Sequence, residues 1–139
     1  MNDDRNIIDA KILKEIEKES EKTGPGKLDE VILKEKKIED KSKKLNLDIF
    51  QKLFNQIKLA LEMVKDFKSR TYTDVPWRTM ALIIVALLYF LNPLDLIPDL
   101  LPVLGLTDDA IAFASIFKSL QVDLRNYCVW KGYNTELYF

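Results

Sequence analysis

Four carboxylates lie close together in the second half of this 139-residue chain. They are Asp95, Asp99, Asp108 and Asp109, called here the four aspartates, and they fall within 15 consecutive positions. Carboxylate oxygens are the ligands that Mg²⁺ and Ca²⁺ prefer, so these residues are candidates for a cation or polar-headgroup site. Carboxylates buried in lipid or protein can also relay protons. Residue type alone supports this chemistry, so no metal is firmly predicted.

A structural role explains the same region equally well. Prolines interrupt it, and each proline removes a backbone donor and ends or starts a helix. Asn, Asp and Thr side chains accept hydrogen bonds from the free N–H groups of a helix start, and Gly permits tight turns. Capping and turn roles are therefore predicted for Asp74, Asn92, Pro93, Pro98, Gly105 and Thr107. The four aspartates could cap helices as well as bind a ligand, and both interpretations stay open.

The composition excludes several kinds of catalysis. The sequence contains no histidine, which excludes Ser-His and Cys-His catalysis and ordinary zinc sites that use histidine. Cys128 is the only cysteine, so it cannot form an internal disulfide, and without an activating histidine we expect a buried or inert thiol and not a nucleophile. No Gly-rich phosphate loop accompanies the aspartates, so no nucleotide site is predicted. We therefore predict a protein that is not an enzyme and has no cofactor; a metal-dependent hydrolase has only residue type in its favour.

Charge divides the chain into two parts. Residues 1–74 hold 17 of the 21 basic and 16 of the 22 acidic residues, whereas between Met80 and Leu106 only Asp95 and Asp99 are charged. We predict a charged helical arm over residues 1–44, with helices over 6–22 and 27–44 separated by Gly24-Pro25-Gly26. Its apolar stripes are weak, so it is either a solvated arm or a pair of partner-binding helices.

The remaining residues, 45–139, are predicted to form one all-α domain, a small helical bundle or hairpin. Helices over 48–70, 76–91 and 108–125 would pack around a bent, Pro-rich apolar segment over 92–106, with the last helix fading near Arg125. Residues 80–91 carry no charge. Twelve helical residues rise only about 18 Å, and a hydrocarbon core is about 30 Å thick. This run is therefore expected to be a buried core helix or a re-entrant segment, not a full span.

The helix over 48–70 has a strongly basic surface. Residues 41–70 hold eight basic and three acidic residues, and a basic amphipathic helix can lie on an anionic membrane. The residues predicted to meet the membrane are Lys52, Lys58, Lys65, Lys68 and Arg70. Aromatic residues of the tail could add an interfacial belt or instead cover a core: Tyr127, Trp130, Tyr133, Tyr138 and Phe139. The alternative is that the helix packs its apolar face on the second half, and its lysines are merely solvated.

Two stretches carry a resemblance to a known family. Asp74-Val-Pro-Trp77, followed by Leu88-Tyr-Phe-Leu-Asn-Pro-Leu-Asp-Leu-Ile-Pro-Asp-Leu-Leu-Pro-Val-Leu-Gly-Leu-Thr-Asp-Asp109, resembles the YkvA-like family, a short bacterial domain of unknown function. The resemblance covers roughly residues 74–115, and Asn92 stands where serine is more usual. It implies membrane association. The family has no established reaction, so the resemblance transfers no catalytic role to the four aspartates.

These observations together predict a membrane-associated, non-enzymatic helical protein, a scaffold or interaction module at the cytoplasmic membrane. Residues 77–124 would form a re-entrant or hairpin unit contacting membrane lipid, and residues 1–44 could bind a protein partner. The acidic start, with no apolar run behind it, predicts no secretory signal, so we expect the N-terminal half in the cytoplasm. A net charge of −1 gives no attractive field for nucleic acid. The alternative is a soluble helical protein-interaction module with residues 80–91 as its core helix.

Overall fold

A computed structural model describes residues 14–44, 47–91 and 116–139 of the chain. Every regular element in these ranges is helical, and no β-strand occurs in them. The prediction of an all-α fold is confirmed.

The helices follow the chain in short and long pieces. Residues 14–21 are helical and are followed by α1 (Gly26–Leu33) and α2 (Glu35–Ser42). The longest helices are α3 (Leu47–Lys68) and α4 (Trp77–Leu91), close to the predicted 48–70 and 76–91. After helical residues 116–119, α5 (Gln121–Lys131) leads into a 3₁₀ turn over Thr135–Leu137.

The apolar helix α4 lies inside the bundle. Eleven of its 15 residues are buried, and α1, α2 and α3 all pack against it. Because its residues are apolar on every side, burial on every side removes the most apolar surface from water. Fifteen residues rise about 22 Å. Across the described ranges, no helix has both the length and the apolarity needed to cross a membrane.

The charged arm packs on the bundle through a narrow apolar stripe. Ile16, Leu28, Val31 and Ile38 are each buried in the same apolar cluster as α3 and α4. The lysines and glutamates between them stay at the surface. The boundary between an arm and a domain near residue 44 remains a prediction, but the arm and the bundle share one core.

The last helix extends further than expected, and the prediction that it fades near Arg125 is wrong. Helix α5 runs to Lys131, because Leu124, Tyr127 and Cys128 continue its buried face. It ends at Gly132, which has φ 78°, the left-handed conformation that glycine adopts without strain. Cys128 is fully buried, as predicted, and burial raises the pKa of its thiol.

The turn between α3 and α4 is set by backbone bonds. The carbonyl of Asp66 accepts the N–H of Thr71 at 2.9 Å, and Arg70 takes a left-handed φ of 63°. Pro76 then supplies the first acceptor of α4, since its carbonyl receives the N–H groups of Thr79 and Met80. Asp74, predicted as a cap, lies exposed two residues before Pro76.

Candidate functional site

All four residues predicted for a carboxylate site lie outside the described ranges. The four aspartates fall in the segment 92–115, as do five predicted cap and turn residues, Asn92, Pro93, Pro98, Gly105 and Thr107. Their roles therefore stay predictions. Among residues 14–44, 47–91 and 116–139, no three acidic or thiol side chains come together in a way that could hold a metal ion.

The basic residues predicted to meet a membrane have diverse surroundings. Lys65 pairs with Glu35 at 2.8 Å, which raises the pKa of the lysine, and Lys68 pairs with Asp29. Both partners belong to the charged arm, so the arm offsets two of the positive charges on α3. The membrane role of these two lysines stays a prediction.

The other three basic residues lie apart from the arm. Lys52 donates to the carbonyl of Phe139 at 2.9 Å, and the Lys58 ammonium lies 5.5 Å from the centre of the Phe54 ring. Arg70 is exposed at the end of α3. These contacts do not arrange the five predicted basic residues as one flat surface of unpaired charges. The membrane role of Lys52, Lys58 and Arg70 also stays a prediction.

A cleft of about 370 Å³ lies between the charged arm and α4. Its apolar wall comes from one side of α4, formed by Ile84, Val85, Leu88 and Leu91. These positions recur at spacings of three and four residues, so they share a helix face. The opposite rim is polar and is formed by Glu19, Lys22, Thr23, Lys27, Glu30, Lys34 and Lys37. We call this space the lysine cleft.

Charge in the lysine cleft is organised around Glu30. Its carboxylate pairs with Lys27 at 2.8 Å and with Lys34 at 3.0 Å, and these hydrogen bonds lower the pKa of Glu30. Helical spacing explains both pairs, because side chains three and four residues apart are neighbours on a helix. Two ammonium groups thus share one carboxylate. The rim as a whole carries four lysines against two glutamates, an excess of positive charge.

A second polar group joins α5 and the tail to α3. Tyr127 donates its hydroxyl hydrogen to the Asp66 carboxylate, and burial together with this bond raises the pKa of Tyr127. Tyr133 donates to Glu62 at 3.0 Å, which raises the pKa of Tyr133. The raised pKa values keep both phenols neutral, as hydrogen-bond donors. These hydrogen bonds therefore stabilise the packing of α5 and the tail on α3, and the neutral phenols are not nucleophiles.

The outer side of α5 carries apolar side chains in water. Val122 and Val129 are 73% and 63% exposed, and Trp130 is 49% exposed. Val122 and Val129 lie two turns apart on one line, with Arg125 between them and Trp130 on the adjoining line. We call these four residues the α5 face. The sequence drew attention to Trp130 through the aromatic tail, but not to the two valines, because nothing in the sequence reveals which side of α5 faces inward.

Comparison with known proteins identifies the family. The family model described as "Protein of unknown function (DUF1232)" matches residues 79–114. The "Uncharacterized membrane protein YkvA" of Bacillus subtilis (strain 168) is 31% identical over 81 residues, which are 58% of this chain and 76% of that protein. The chain belongs to the YkvA-like DUF1232 family. No solved structure matches the chain.

The DUF1232 segment and the rest of the chain contribute different parts of the lysine cleft. The described portion of that segment, residues 79–91, lies in α4 and supplies the apolar wall. The lysine rim lies in residues 19–37, outside the segment that the DUF1232 model matches. The four aspartates lie inside that segment. The chemistry of the lysine cleft therefore depends on residues that this chain adds to its DUF1232 segment.

Proposed function

We propose that this DUF1232 protein is a non-enzymatic, membrane-associated helical scaffold or interaction module that contacts the cytoplasmic membrane through the α5 face. The observation that carries the proposal is the exposure of Val122, Val129 and Trp130 in water beside Arg125. The relative from Bacillus subtilis is named a membrane protein, which agrees with this surface.

The composition of the α5 face suits the boundary between headgroups and acyl chains. Moving part of two valines and an indole out of water is favourable by on the order of a few kcal/mol. A basic side chain near an anionic surface adds about 1 kcal/mol. Arg125 supplies one such charge, and its guanidinium lies 5.0 Å from the centre of the Phe139 ring. Lys52 adds a second charge, because it bonds the carbonyl of Phe139.

This proposal differs from a re-entrant insertion of residues 77–124. Helix α4 already has α1, α2 and α3 packed against it, and inserting it into lipid would require those contacts to break. A surface contact through α5 keeps them. The proposed orientation holds the charged N-terminal half in the cytoplasm, as its many charges favour.

The absence of a reaction is part of the same proposal. Cys128 is buried with a raised thiol pKa, so it is a poor nucleophile. The sequence also has no histidine to act as a general base near neutral pH.

Vesicle sedimentation tests the membrane proposal. The full chain is mixed with vesicles of phosphatidylglycerol and phosphatidylcholine, and with vesicles of phosphatidylcholine alone. We expect the protein to sediment with the first kind, and the double variant Val122→Asp/Val129→Asp to bind about tenfold more weakly. Leu33→Asp is the matched control, since Leu33 is 84% exposed on α1, away from the α5 face. Equal binding of the double variant and the control would contradict the proposal.

A second candidate is a helical protein-interaction module that does not contact lipid. The burial of α4 in the bundle favours it, because the most apolar helix then needs no lipid. In that case the wild-type protein stays in the supernatant with both kinds of vesicle.

A further inference from the structure

The lysine cleft combines two surfaces that a small amphiphile would need. One wall is apolar and follows α4 from Ile84 to Leu91, eight residues that span a rise of about 10 Å. The other wall is a polar rim that contains four lysines and two glutamates. Ligand sites are mostly apolar clefts with a few polar groups that fix orientation, and this cleft has both features.

We propose that the lysine cleft binds a single acyl chain with an anionic headgroup, with the chain against α4 and the headgroup among Lys27, Lys34 and Lys37. This inference is independent of the membrane contact made by the α5 face.

The size of the cleft sets the size of the ligand. Its volume of about 370 Å³ is near the lower end of the roughly 300–1,000 Å³ typical of small-molecule sites. One acyl chain suits this volume better than the two chains of a phospholipid.

The charges of the cleft set the sign of the headgroup. Lys27 and Lys34 share the single carboxylate of Glu30, so each has donor capacity left for a second anion. Lys37 lies exposed on α2 and adds a third ammonium to the rim. An anionic headgroup would join or displace Glu30, whereas a cationic headgroup would be repelled by the excess of lysines.

The first turns of α4 provide an internal comparison. A second hollow of about 460 Å³ is lined by Ala81 and Leu82 of α4, with Glu17, Glu21 and Arg78 among its other residues. Two acidic side chains and one basic side chain give it a charge opposite to that of the lysine cleft. An anionic amphiphile should therefore select the lysine cleft and avoid this second hollow.

Methyl NMR spectra of the full chain test the proposal. Sodium dodecanoate is added below its micelle concentration, and we expect saturable shifts of the Ile84, Val85 and Leu88 methyl groups. Dodecyltrimethylammonium, which has the same chain and the opposite charge, should not produce them. Absence of a saturable shift, or equal shifts with both amphiphiles, would overturn the proposal.

Shifts confined to Val122 and Val129 of the α5 face would also overturn it. That outcome would leave the membrane proposal standing, so failures of the two proposals can be distinguished.

Charge variants test the headgroup position. We expect Lys34→Gln/Lys37→Gln to weaken dodecanoate binding by about fivefold, the effect of removing one half-buried and one exposed charge. Lys36→Gln is the matched control, since Lys36 is exposed on the same helix as Lys37 but does not line the cleft. Glu30→Gln should tighten binding, because it removes the competing carboxylate. Equal affinity in the double variant and the wild type would overturn the assignment of the headgroup to these lysines.

Discussion

The ammonium group of Lys131 lies 3.2 Å from the carboxylate of Asp66. The pair joins the last turn of α5 to α3, and the hydrogen bond raises the pKa of Lys131. Tyr127 donates to the same carboxylate from one turn earlier in α5. One acid on α3 thus accepts from two residues of α5, and these contacts hold one side of that helix against α3 while Val122 and Val129 face outward.

Removing the Asp66 carboxylate should destabilise the protein more than removing the Tyr127 hydroxyl. Asp66→Ala leaves a buried phenol without its acceptor, which costs about 1–3 kcal/mol, whereas Tyr127→Phe removes the whole donor and costs about 0.5–1.5 kcal/mol. Urea unfolding of the two single variants and the double variant measures their coupling. Additive losses would contradict a direct bond, because residues in contact usually couple by at least about 0.5 kcal/mol.

Stability should fall as the pH rises above 10. The pKa of Tyr127 is raised from its ordinary value of 10.0 by burial and by Asp66, so the unfolded state loses its proton first. The stabilisation is complete below pH 10 and is lost as the pH rises from there towards the folded pKa. The raised pKa of Lys131 acts in the same direction.

The midpoint of urea unfolding, measured from pH 8 to pH 11, checks the pH dependence. We expect this midpoint to fall less steeply with pH in the Tyr127→Phe variant than in the wild type. Tyr133→Phe should have a smaller effect, because the Tyr133 phenol is less buried than that of Tyr127. A midpoint that stays constant over this range would contradict the prediction.

The arm should contribute to the stability of the whole bundle. Ile38 is fully buried against the core, and Ile38→Ala should cost about 2–4 kcal/mol through lost burial and a new cavity. Leu33→Ala is the matched control in the arm, since Leu33 is 84% exposed, and it should cost less than about 0.5 kcal/mol. Thermal unfolding in a single transition, with a lower midpoint for Ile38→Ala only, is the expected result. Two separate transitions would instead favour an independent arm.

Glycine should be the more stable residue at two helix ends. Arg70 and Gly132 both have left-handed φ angles, 63° and 78°, at the ends of α3 and α5. Arg70→Gly should stabilise the protein by roughly 0.5–1 kcal/mol and Gly132→Ala should destabilise it by a similar amount. An added Cβ at Gly132 meets nothing within 4 Å, so the loss reports the backbone angle alone. Chemical denaturation measures both, and equal signs would contradict the prediction.

Local patterns were sufficient to predict α3 and α4. The apolar run of residues 80–91 predicted α4 to within one residue at its start, and the stripe of the preceding segment predicted α3 to within two residues at each end. These predictions succeeded because helical periodicity depends on residues three and four apart. The end of α5 differs from the prediction because the buried face of Leu124, Tyr127 and Cys128 carries the helix on to Lys131.

The lysine cleft and the α5 face could not be predicted from the sequence, because they depend on which helices pack together. The lysine cleft joins residues 19–37 to residues 84–91, and Lys68 finds its partner Asp29 across 39 positions of sequence. No local pattern relates residues so far apart. The same holds for the α5 face, because the valines face outward only where Leu124, Tyr127 and Cys128 on the other side of α5 join the core.

The sequence by itself determined the all-α class, the positions of α3 and α4, and the resemblance to the YkvA-like family. Only the tertiary structure decided that the charged arm packs on α4, that Lys65 and Lys68 are paired with the arm, and that a cleft with lysines on one side lies against an apolar helix. The physical reason is the range of the forces involved. Periodicity and capping act within about one helical turn, whereas charge pairing and burial act between helices that the chain brings together only when it folds.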